Sequence, residues 1–333
     1  MAAYWQVLAH RLDSNLDTCS RSNLFLQYKT TIYKQYLADN WNQIEMVESH
    51  KISQAEKIEH QFRLSTDEIE QWDRDGYLVR RNVFSTEEND FLRQVAEDIV
   101  NDKRPFPSAH VNRNALVKEG KAQGDGIYAM HKLHFPSNYC TEFLERTRDS
   151  RLTDPLVDLL GPDILGINTL FLWKAPKIGL GFPWHQDKFY FRSRFRTKTT
   201  VGTWTAFDVA DQGNGCLYVI PGSHKADIFQ HDDLDGPQQQ EFKLARGVRD
   251  EDGVPVEVEP GSVIWFHSHL LHKSTDNHSQ RFRRSFVAHY LSAQAEWSSP
   301  EKVGRGQPVM WVRGRTYADK IYPAQMDVLP MPW

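Results

Sequence analysis

Hydrophobic positions follow two different periods along this chain of 333 residues. Residues 1–60 contain no glycine or proline and are mostly polar. Their apolar side chains recur at a loosely helical spacing, at Leu24, Leu26, Ile32, Tyr33, Tyr36 and Leu37. This spacing predicts a helical N-terminal extension. The extension either packs on the main domain or serves as a dimerisation arm.

The pattern tightens after residue 63 and predicts two capped helices. Ser65 and Glu68 have the spacing of a capping box, so a helix is expected to run to about Arg74 and to end near Gly76. Ser85 begins a second helix in the same way. The buried face of this second helix is expected to carry Phe91, Leu92, Val95 and Ile99.

The remaining pattern predicts a strand at 77–84, a long polar loop at 101–127 and one amphipathic helix at 140–160 that stops at Gly161. Beyond it, short β-rich runs alternate with turn residues. These runs cover 167–173, 202–209, 216–220, 254–258, 262–266 and 285–291. Many short strands after a helical half predict a mainly β, α+β fold, a sandwich or jelly roll with helices buttressing one sheet.

Composition narrows the class of protein. A hydrophobic fraction of 40% is enough for a substantial core, and a net charge of −4 argues against a nucleic-acid partner. No apolar run reaches the roughly 18 residues of a membrane span, and the first residues lack the apolar block of a secretory signal. Three isolated cysteines, Cys19, Cys140 and Cys216, favour a reducing compartment. We therefore expect a cytoplasmic monomer or homodimer that acts on a small molecule.

The candidate active-site residues are His185 and Asp187 and, much further along the chain, His272 and Arg283. Residues i and i+2 of an extended segment point to one side, so His185 and Asp187 can reach one ion. Two imidazoles and a carboxylate suit ferrous iron in a site with open positions. Arg283 can pair with the far carboxylate of a dicarboxylic cosubstrate, 2-oxoglutarate, with the hydroxyl of Ser274 completing the hydrogen bonds.

The identity of the distal ligand and the class of protein both stay open. The distal ligand is one of three neighbouring histidines, and we favour His272 over His267 and His269 because Leu270 and Leu271 can pin its backbone. The spacing of Arg283 fits a next strand that pairs back alongside. A protein that only binds metal and ligand, or a zinc enzyme, could use the same three ligands. Ordinary hydrogen-bonding roles are expected of the other histidines, His224, His231, His278 and His289.

Taken together, these motifs resemble the phytanoyl-CoA dioxygenase (PhyH-like) family of Fe(II)/2-oxoglutarate-dependent oxygenases. The similarity runs over residues 64–292. It includes Gln71-Trp72-Asp73-Arg74-Asp75-Gly76-Tyr77-Leu78, His185-Gln186-Asp187, Asn214-Gly215-Cys216-Leu217, Pro221-Gly222-Ser223-His224 and Leu271-His272 to Arg283.

The resemblance implies a double-stranded β-helix (jelly-roll, cupin-like) core, which we expect as a domain at 61–295. We expect the tail at 296–333 to pack on this core. It implies that the catalytic residues are the iron ligands His185, Asp187 and His272 and the cosubstrate clamp Arg283. The other cosubstrate contacts that it implies are Ser274, Trp204, Gln186, Lys132 and Leu170.

The implied reaction uses Fe(II), 2-oxoglutarate and O₂, with ascorbate as a supporting reductant, and hydroxylates a C–H bond with release of succinate and CO₂. Desaturation and ring closure are related outcomes. Asp187 favours these over halogenation, because halogenating members of the wider class carry a small residue there. The substrate would be anionic if the cations of residues 188–198 line the site; otherwise they protect a solvated edge. These cations are Lys188, Arg192, Arg194, Arg196 and Lys198.

Overall fold

The computed structural model describes residues 61–192, 194–197, 199–235, 242–296 and 309–315. The predicted helical extension at 1–60 lies outside the described residues, as does most of the tail at 296–333. All described residues belong to one compact unit that begins at Gln61. Its helices are α1 (Thr66–Asp75), α2 (Thr86–Val100), α3 (Ala115–Lys118), α4 (Pro136–Tyr139), α5 (Thr141–Arg148), α6 (Ser150–Leu160) and α7 (Asp187–Phe191).

The strands form two facing sheets and a hairpin, and every pairing is antiparallel. The large sheet has the order β1-β11-β6-β13-β4-β3-β2 with β14 also on β4, the small sheet has β10-β7-β12-β5, and β8 pairs with β9. The strands are β1 (Tyr77–Arg80), β2 (Val111–Arg113), β3 (Met130–His134), β4 (Ile164–Lys174), β5 (Phe182–His185), β6 (Val201–Ala206), β7 (Leu217–Val219), β8 (His231–Asp233), β9 (Lys243–Ala245), β10 (Val254–Val256), β11 (Val263–His267), β12 (His272–Ser274), β13 (Arg283–Ser292) and β14 (Met310–Arg313).

The large sheet is buried on both faces. Side chains alternate along β4, so Phe171 and Trp173 pack with the helices, whereas Leu172 packs toward the small sheet. The indole of Trp265 in β11 donates to the carbonyl of Leu152 in α6 over 3.2 Å, which fixes a helix to the sheet. This arrangement of antiparallel sheets with a helical buttress confirms the predicted fold class, and the space between the two sheets is left for the site.

Both predicted capping boxes are confirmed. Ser65 accepts from Glu68 N while Glu68 accepts from Ser65 N, and α1 ends at Gly76 with φ 80°. Ser85 begins α2 in the same way. The prediction for the buried face of α2 was wrong at Phe91, which is 57% exposed. The buried apolar positions of α2 are Leu92, Val95, Ala96 and Ile99, and Phe91 lies about a quarter turn from their centre.

Two other predicted elements are different in the structure. The single helix expected at 140–160 is two helices, α5 and α6. They meet at Asp149, whose carboxylate accepts from Arg151 N over 2.9 Å and caps α6. The loop expected at 101–127 contains β2 and α3, and α3 is capped by Asn114 through Leu116 N. Local side-chain caps, rather than hydrophobic period, decide both segments.

The predicted strand runs are confirmed with ends shifted by a few residues. The strand expected at 77–84 stops at Arg80, and the run at 285–291 extends to Arg283–Ser292. Within the tail, Met310–Arg313 adds a strand to the edge of β4. Among the helices of the described ranges, none is both long and apolar enough to cross a bilayer.

Candidate active site

Two neighbouring strands of the small sheet bring the candidate metal ligands together. Strand β5 ends at His185, Gln186 continues in extended conformation, and α7 begins at Asp187. His185 and Asp187 therefore share a side. Strand β12 pairs His272 directly with His185. One ligand atom from each of the three lies within 4.8 Å of the other two, and all three residues are buried.

Backbone carbonyls orient both imidazoles of this triad. His185 Nδ1 lies 2.7 Å from the carbonyl oxygen of Pro183, and His272 Nδ1 lies 2.9 Å from that of Leu270. A carbonyl only accepts, so each Nδ1 carries the proton and donates. Each Nε2 then keeps its lone pair and lies 3.5 Å (His185) or 3.7 Å (His272) from Asp187 Oδ1. Two imidazole nitrogens and one carboxylate oxygen thus converge as an iron site requires.

Burial also sets the protonation states that metal binding needs. It lowers the pKa of His272 to about 4, helped by the neighbouring His185, so the ring is neutral near pH 7. Burial alone would raise the pKa of Asp187, but the surrounding imidazoles of His289 and His272 outweigh it and lower that pKa well below its usual range. The triad therefore presents the neutral imidazole of His272 and the ionised carboxylate of Asp187.

A fourth residue, His289, holds the outer oxygen of the carboxylate. Its Nε2 donates to Asp187 Oδ2 over 2.7 Å, which leaves Oδ1 toward the two ligand imidazoles. The sequence analysis gave His289 an ordinary role and missed this contact. The available signal was the two-residue period of β13, since Arg283, Val287 and His289 share one face and all line the same cavity.

The triad opens into a cavity between the sheets. Its lining includes Leu170, Leu172, Phe182, Trp204, Leu217, Phe266, Ser274, Arg283 and Val287. Arg283 reaches this cavity from the large sheet. The expectation that its strand pairs back beside the distal histidine was wrong, because β13 pairs with β4 and β6. The guanidinium consequently faces the triad's sheet from across the cavity.

Positive charge is concentrated at the end of the cavity away from the triad. Arg283 is 1% exposed, its Nη1 donates to Ser285 Oγ over 2.9 Å, and its Nε has no hydrogen-bond partner among the described residues. Burial lowers its pKa to about 10, so it stays charged near pH 7. Lys174, opposite Arg283 in the β4–β13 pair, is equally buried. The sequence analysis did not select this lysine.

The structure places the other predicted cosubstrate contacts in two groups. Trp204, Leu170 and Ser274 line the cavity, and the Arg283 guanidinium lies 5.6 Å from the Trp204 ring centroid. Gln186 points elsewhere: its amide donates to His269 O over 2.7 Å, and its Oε1 accepts from Phe229 N. Its side chain is therefore engaged with the backbone, in contrast to its expected role in the cosubstrate pocket.

Lys132 occupies an intermediate position. It pairs with Leu172 across β3 and β4, so it shares the face of the sheet that lines the cavity, but it lies one strand further out. Its Nζ lies 5.0 Å from the ring centroid of Phe242. It is absent from the cavity lining in the described part of the chain.

The rival distal ligands lie outside the triad. His267 Nδ1 accepts from His269 N over 3.0 Å, and the His267 ring packs 6.0 Å from that of Trp72. His269 Nδ1 lies 3.2 Å from the carbonyl of Ala226. Of the three neighbouring histidines, His272 alone belongs to the ligand group found in the described residues.

The cations after the H-x-D motif do not gather around the cavity. Lys188 is buried and its ammonium donates to the carbonyls of Phe195 and Thr197. Arg194 donates to Ile167 O over 3.4 Å, and none of the described cations of this segment lines the cavity. Lys198 lies outside the described residues. The expectation of a cationic rim at the cavity is therefore not supported by the described cations.

Comparison with known proteins identifies the family. The sequence profile described as Phytanoyl-CoA dioxygenase (PhyH) matches residues 72–285, which is more than half of the chain. The chain belongs to this family. As a member of it, the chain is a 2-oxoglutarate-dependent oxygenase of the phytanoyl-CoA dioxygenase type, with iron and 2-oxoglutarate as cofactors.

Two members of the family are similar to this chain over about 70% of its length. The chain is 28% identical over 246 residues to "Phytanoyl-CoA dioxygenase, peroxisomal" of Rattus norvegicus, covering 71% of each chain. It is 29% identical over 243 residues to "Probable phytanoyl-CoA dioxygenase" of Caenorhabditis elegans, covering 69% of this chain and 76% of that one. The chain is thus similar to these phytanoyl-CoA dioxygenases along most of their length.

A solved protein shares the fold. EctD from S. alaskensis, crystallised with 2-oxoglutarate and 5-hydroxyectoine, superposes with a TM-score of 0.59 at 20% identity, covering 81% of this chain and 88% of that one. A structure of EctD with bound Fe gives 0.54 at 22% identity, covering 69% and 77%. At such identity the likeness establishes the double-stranded β-helix alone.

Proposed function

We propose that this protein hydroxylates an unactivated C–H bond of a small metabolite, with iron held by His185, Asp187 and His272. The proposal is carried by one observation: a buried triad of metal ligands and a buried, positively charged site share one cavity. Iron and 2-oxoglutarate, when bound, supply the oxidation, in which one atom of O₂ enters succinate, the other enters the C–H bond, and CO₂ leaves.

The chain's own groups bind and orient these reactants. We assign the distal carboxylate of 2-oxoglutarate to Arg283 and Ser274, because a buried guanidinium with an unpaired Nε needs an anionic partner. Trp204 and Leu170 form the walls between the charged site and the triad. These apolar walls exclude water and strengthen the electrostatic interactions within the cavity.

Asp187 directs the outcome toward hydroxylation. Its carboxylate occupies the third ligand position and is held by His289, so no position is opened for a halide by a small residue.

The test is anaerobic loading of the purified protein with Fe(II) and 2-oxoglutarate. We expect a charge-transfer absorbance in the visible, and then, under air, succinate production that a true substrate stimulates. Screening candidate metabolites for coupled succinate release identifies the substrate. A protein that gave neither the absorbance nor succinate would overturn the proposal.

We also infer a reducing, cytoplasmic compartment. Cys140 and Cys216 are both free and buried in the described structure, as is usual where disulfides are rare. The rat relative is named as peroxisomal. Fractionation of cells that express the tagged chain distinguishes the two locations.

A further inference from the structure

Two buried basic residues stand side by side at the charged end of the cavity: Arg283 lines it, and Lys174 lies behind the lining residue Ser274. Lys174 is the last residue of β4, Arg283 is the first of β13, and the two are direct partners in the sheet. Directly opposed side chains lie on the same face, about 5 Å apart at Cβ. Both residues are 1% exposed. Neither has a carboxylate oxygen within 4.0 Å in the part of the chain that the structure describes.

Two hydrogen bonds hold the ammonium of Lys174 in place. It donates to Ser274 Oγ over 2.7 Å and to the carbonyl oxygen of Thr275. Gly215 makes room for it: a Cβ there would clash with the Thr275 carbonyl and lie 2.9 Å from Lys174 Nζ. Gly215 also has φ +86°, a conformation that favours glycine. The turn before β7 is therefore shaped around the lysine.

This site is continuous with the cosubstrate cavity. Ser274, which accepts from Lys174, is a cavity-lining residue two positions after the metal ligand His272. The Lys174 ammonium also lies 5.7 Å from the ring centroid of Phe182, another lining residue. A ligand that reaches Arg283 and Ser274 is therefore within the field of Lys174.

The two cations are costly to bury together without an anion. Burial, followed by the charge of Arg283, lowers the pKa of Lys174 well below its usual value, whereas Asp276 and Cys216 act in the opposite direction. Asp276 accepts instead from Gly181 N. A neutral side chain could tie β4 to β12 through Ser274 at lower cost. An anion bound beside Lys174 and Arg283 would offset this cost.

We propose that Lys174 is the second cation of the site for the distal carboxylate of 2-oxoglutarate, and that it positions the hydroxyl of Ser274. A bound carboxylate favours the charged form of Lys174, and an ammonium only donates, so Ser274 Oγ accepts from it and the hydroxyl hydrogen of Ser274 is free to point at the carboxylate. Arg283 and Ser274 then bind the carboxylate directly, and Lys174 adds charge behind the serine. This inference rests on the proposed function.

The experiment compares two keto acids in anaerobic Fe(II) protein by charge-transfer absorbance. 2-Oxoglutarate carries the distal carboxylate, whereas 2-oxobutyrate chelates iron through the same atoms and lacks it. In Lys174→Met we expect the Kd for 2-oxoglutarate to rise about 10- to 100-fold and that for 2-oxobutyrate to change less than about 3-fold. The matched control is Lys177→Met, an exposed lysine three residues along, which should alter neither constant.

A merely structural role for Lys174 predicts a different result, since a damaged cavity weakens both keto acids alike. Equal losses for the two ligands, or an unchanged preference for 2-oxoglutarate, would overturn the inference. Lys174→Gln keeps an N–H donor for Ser274 without the charge and serves as the second variant if the methionine does not fold. Retention of the full preference by Lys174→Gln would likewise count against the second cation.

The positioning step has its own readout. If Lys174 acts through Ser274, the losses of Ser274→Ala and Lys174→Met in 2-oxoglutarate affinity should add to more than the loss of the double variant. Strict additivity would contradict the positioning role. If the wild-type protein bound neither keto acid, the proposed function itself would be wrong. If the wild type bound both and Lys174→Met kept the preference for 2-oxoglutarate, only this inference would be wrong.

Discussion

The two ends of the cavity differ in whether the protein itself supplies partners for their polar groups. At the metal end, the protein itself supplies a partner for each ligand: Pro183 for His185, Leu270 for His272 and His289 for Asp187. At the charged end, Arg283 has an Nε without a partner in the described structure, and Lys174 stands beside it with no carboxylate in contact.

The metal end thus depends on the orientation of its ligands, whereas the other end depends on the balance of charge. The metal end is pre-oriented by hydrogen bonds that exist before any cofactor binds, as is usual for metal-binding histidines. The charged end has surplus positive charge and reaches balance through its ligand. Loss of a metal ligand should therefore abolish iron binding, whereas damage at the charged end should be graded and relieved by more cosubstrate.

The largest effect is expected from Asp187→Ala. The variant removes the one anionic ligand and leaves two neutral imidazoles, so we expect iron affinity and substrate-coupled succinate release to fall by roughly 1,000-fold or more. Metal analysis after gel filtration and a succinate assay measure the two. His278→Ala, at an exposed histidine, is the matched control. Activity retained in Asp187→Ala would remove this carboxylate from the ligand set.

Arg283→Met tests the other end. We expect the Kd for 2-oxoglutarate to rise about 100- to 1,000-fold, because the ligand's carboxylate would be buried without its main partner, while Fe(II) affinity changes little. The comparison is between iron titration and cosubstrate titration of the same preparation. Arg281→Met, at an exposed arginine two residues away, is the control. A variant that lost iron as strongly as cosubstrate would erase the distinction between the two ends.

His289→Leu probes the orientation of the metal end. It leaves Asp187 Oδ2 without its imidazole donor, and we expect Fe(II) affinity to fall about 10- to 100-fold. His289→Gln keeps a donor of similar reach and should recover most of the loss. Calorimetric Fe(II) titration distinguishes the two variants. Unchanged affinity in His289→Leu would show that the carboxylate is oriented by other contacts.

Short sequence patterns predicted those features of the fold and the site that are set by residues close together in the chain. The capping boxes at Ser65 and Ser85, the strand runs and the paired spacing of His185 and Asp187 were all readable, because each is set within a few residues. The break at Asp149 was missed because one side-chain cap overrode a continuous hydrophobic period.

Sheet topology explains the rest of what the sequence could not show. Lys174 and His289 become part of the site only because β4 and β13 are neighbours in the large sheet and face the small one. The sequence separates Lys174 from Arg283 by more than a hundred residues, so nothing local links the two cations. Gln186 shows the converse, since its motif position suggested the pocket but its hydrogen bonds lead to Phe229 and His269.

The smallest effect on iron affinity is expected at His267, which lies just outside the metal end. Its pKa is lowered to about 3, first by burial and then by His269, His224 and Lys188, whereas an unfolded histidine titrates near 6.5. The unfolded chain therefore takes up a proton first as the pH falls. As the pH falls from the unfolded pKa of His267 toward its folded pKa, this residue should decrease the free energy of unfolding by about 1.4 kcal/mol per pH unit.

His267→Asn keeps an acceptor for His269 N but removes the titrating ring. Denaturant unfolding of metal-free wild type and variant at several pH values between about 4 and 7 should give a shallower dependence for the variant, because its contribution from residue 267 no longer falls with pH. Fe(II) affinity should stay within about 2-fold, since the ring lies outside the ligand group. If His267→Asn lost iron while His272→Ala kept it, the distal ligand would be His267, and the metal end would have to be redrawn around β11.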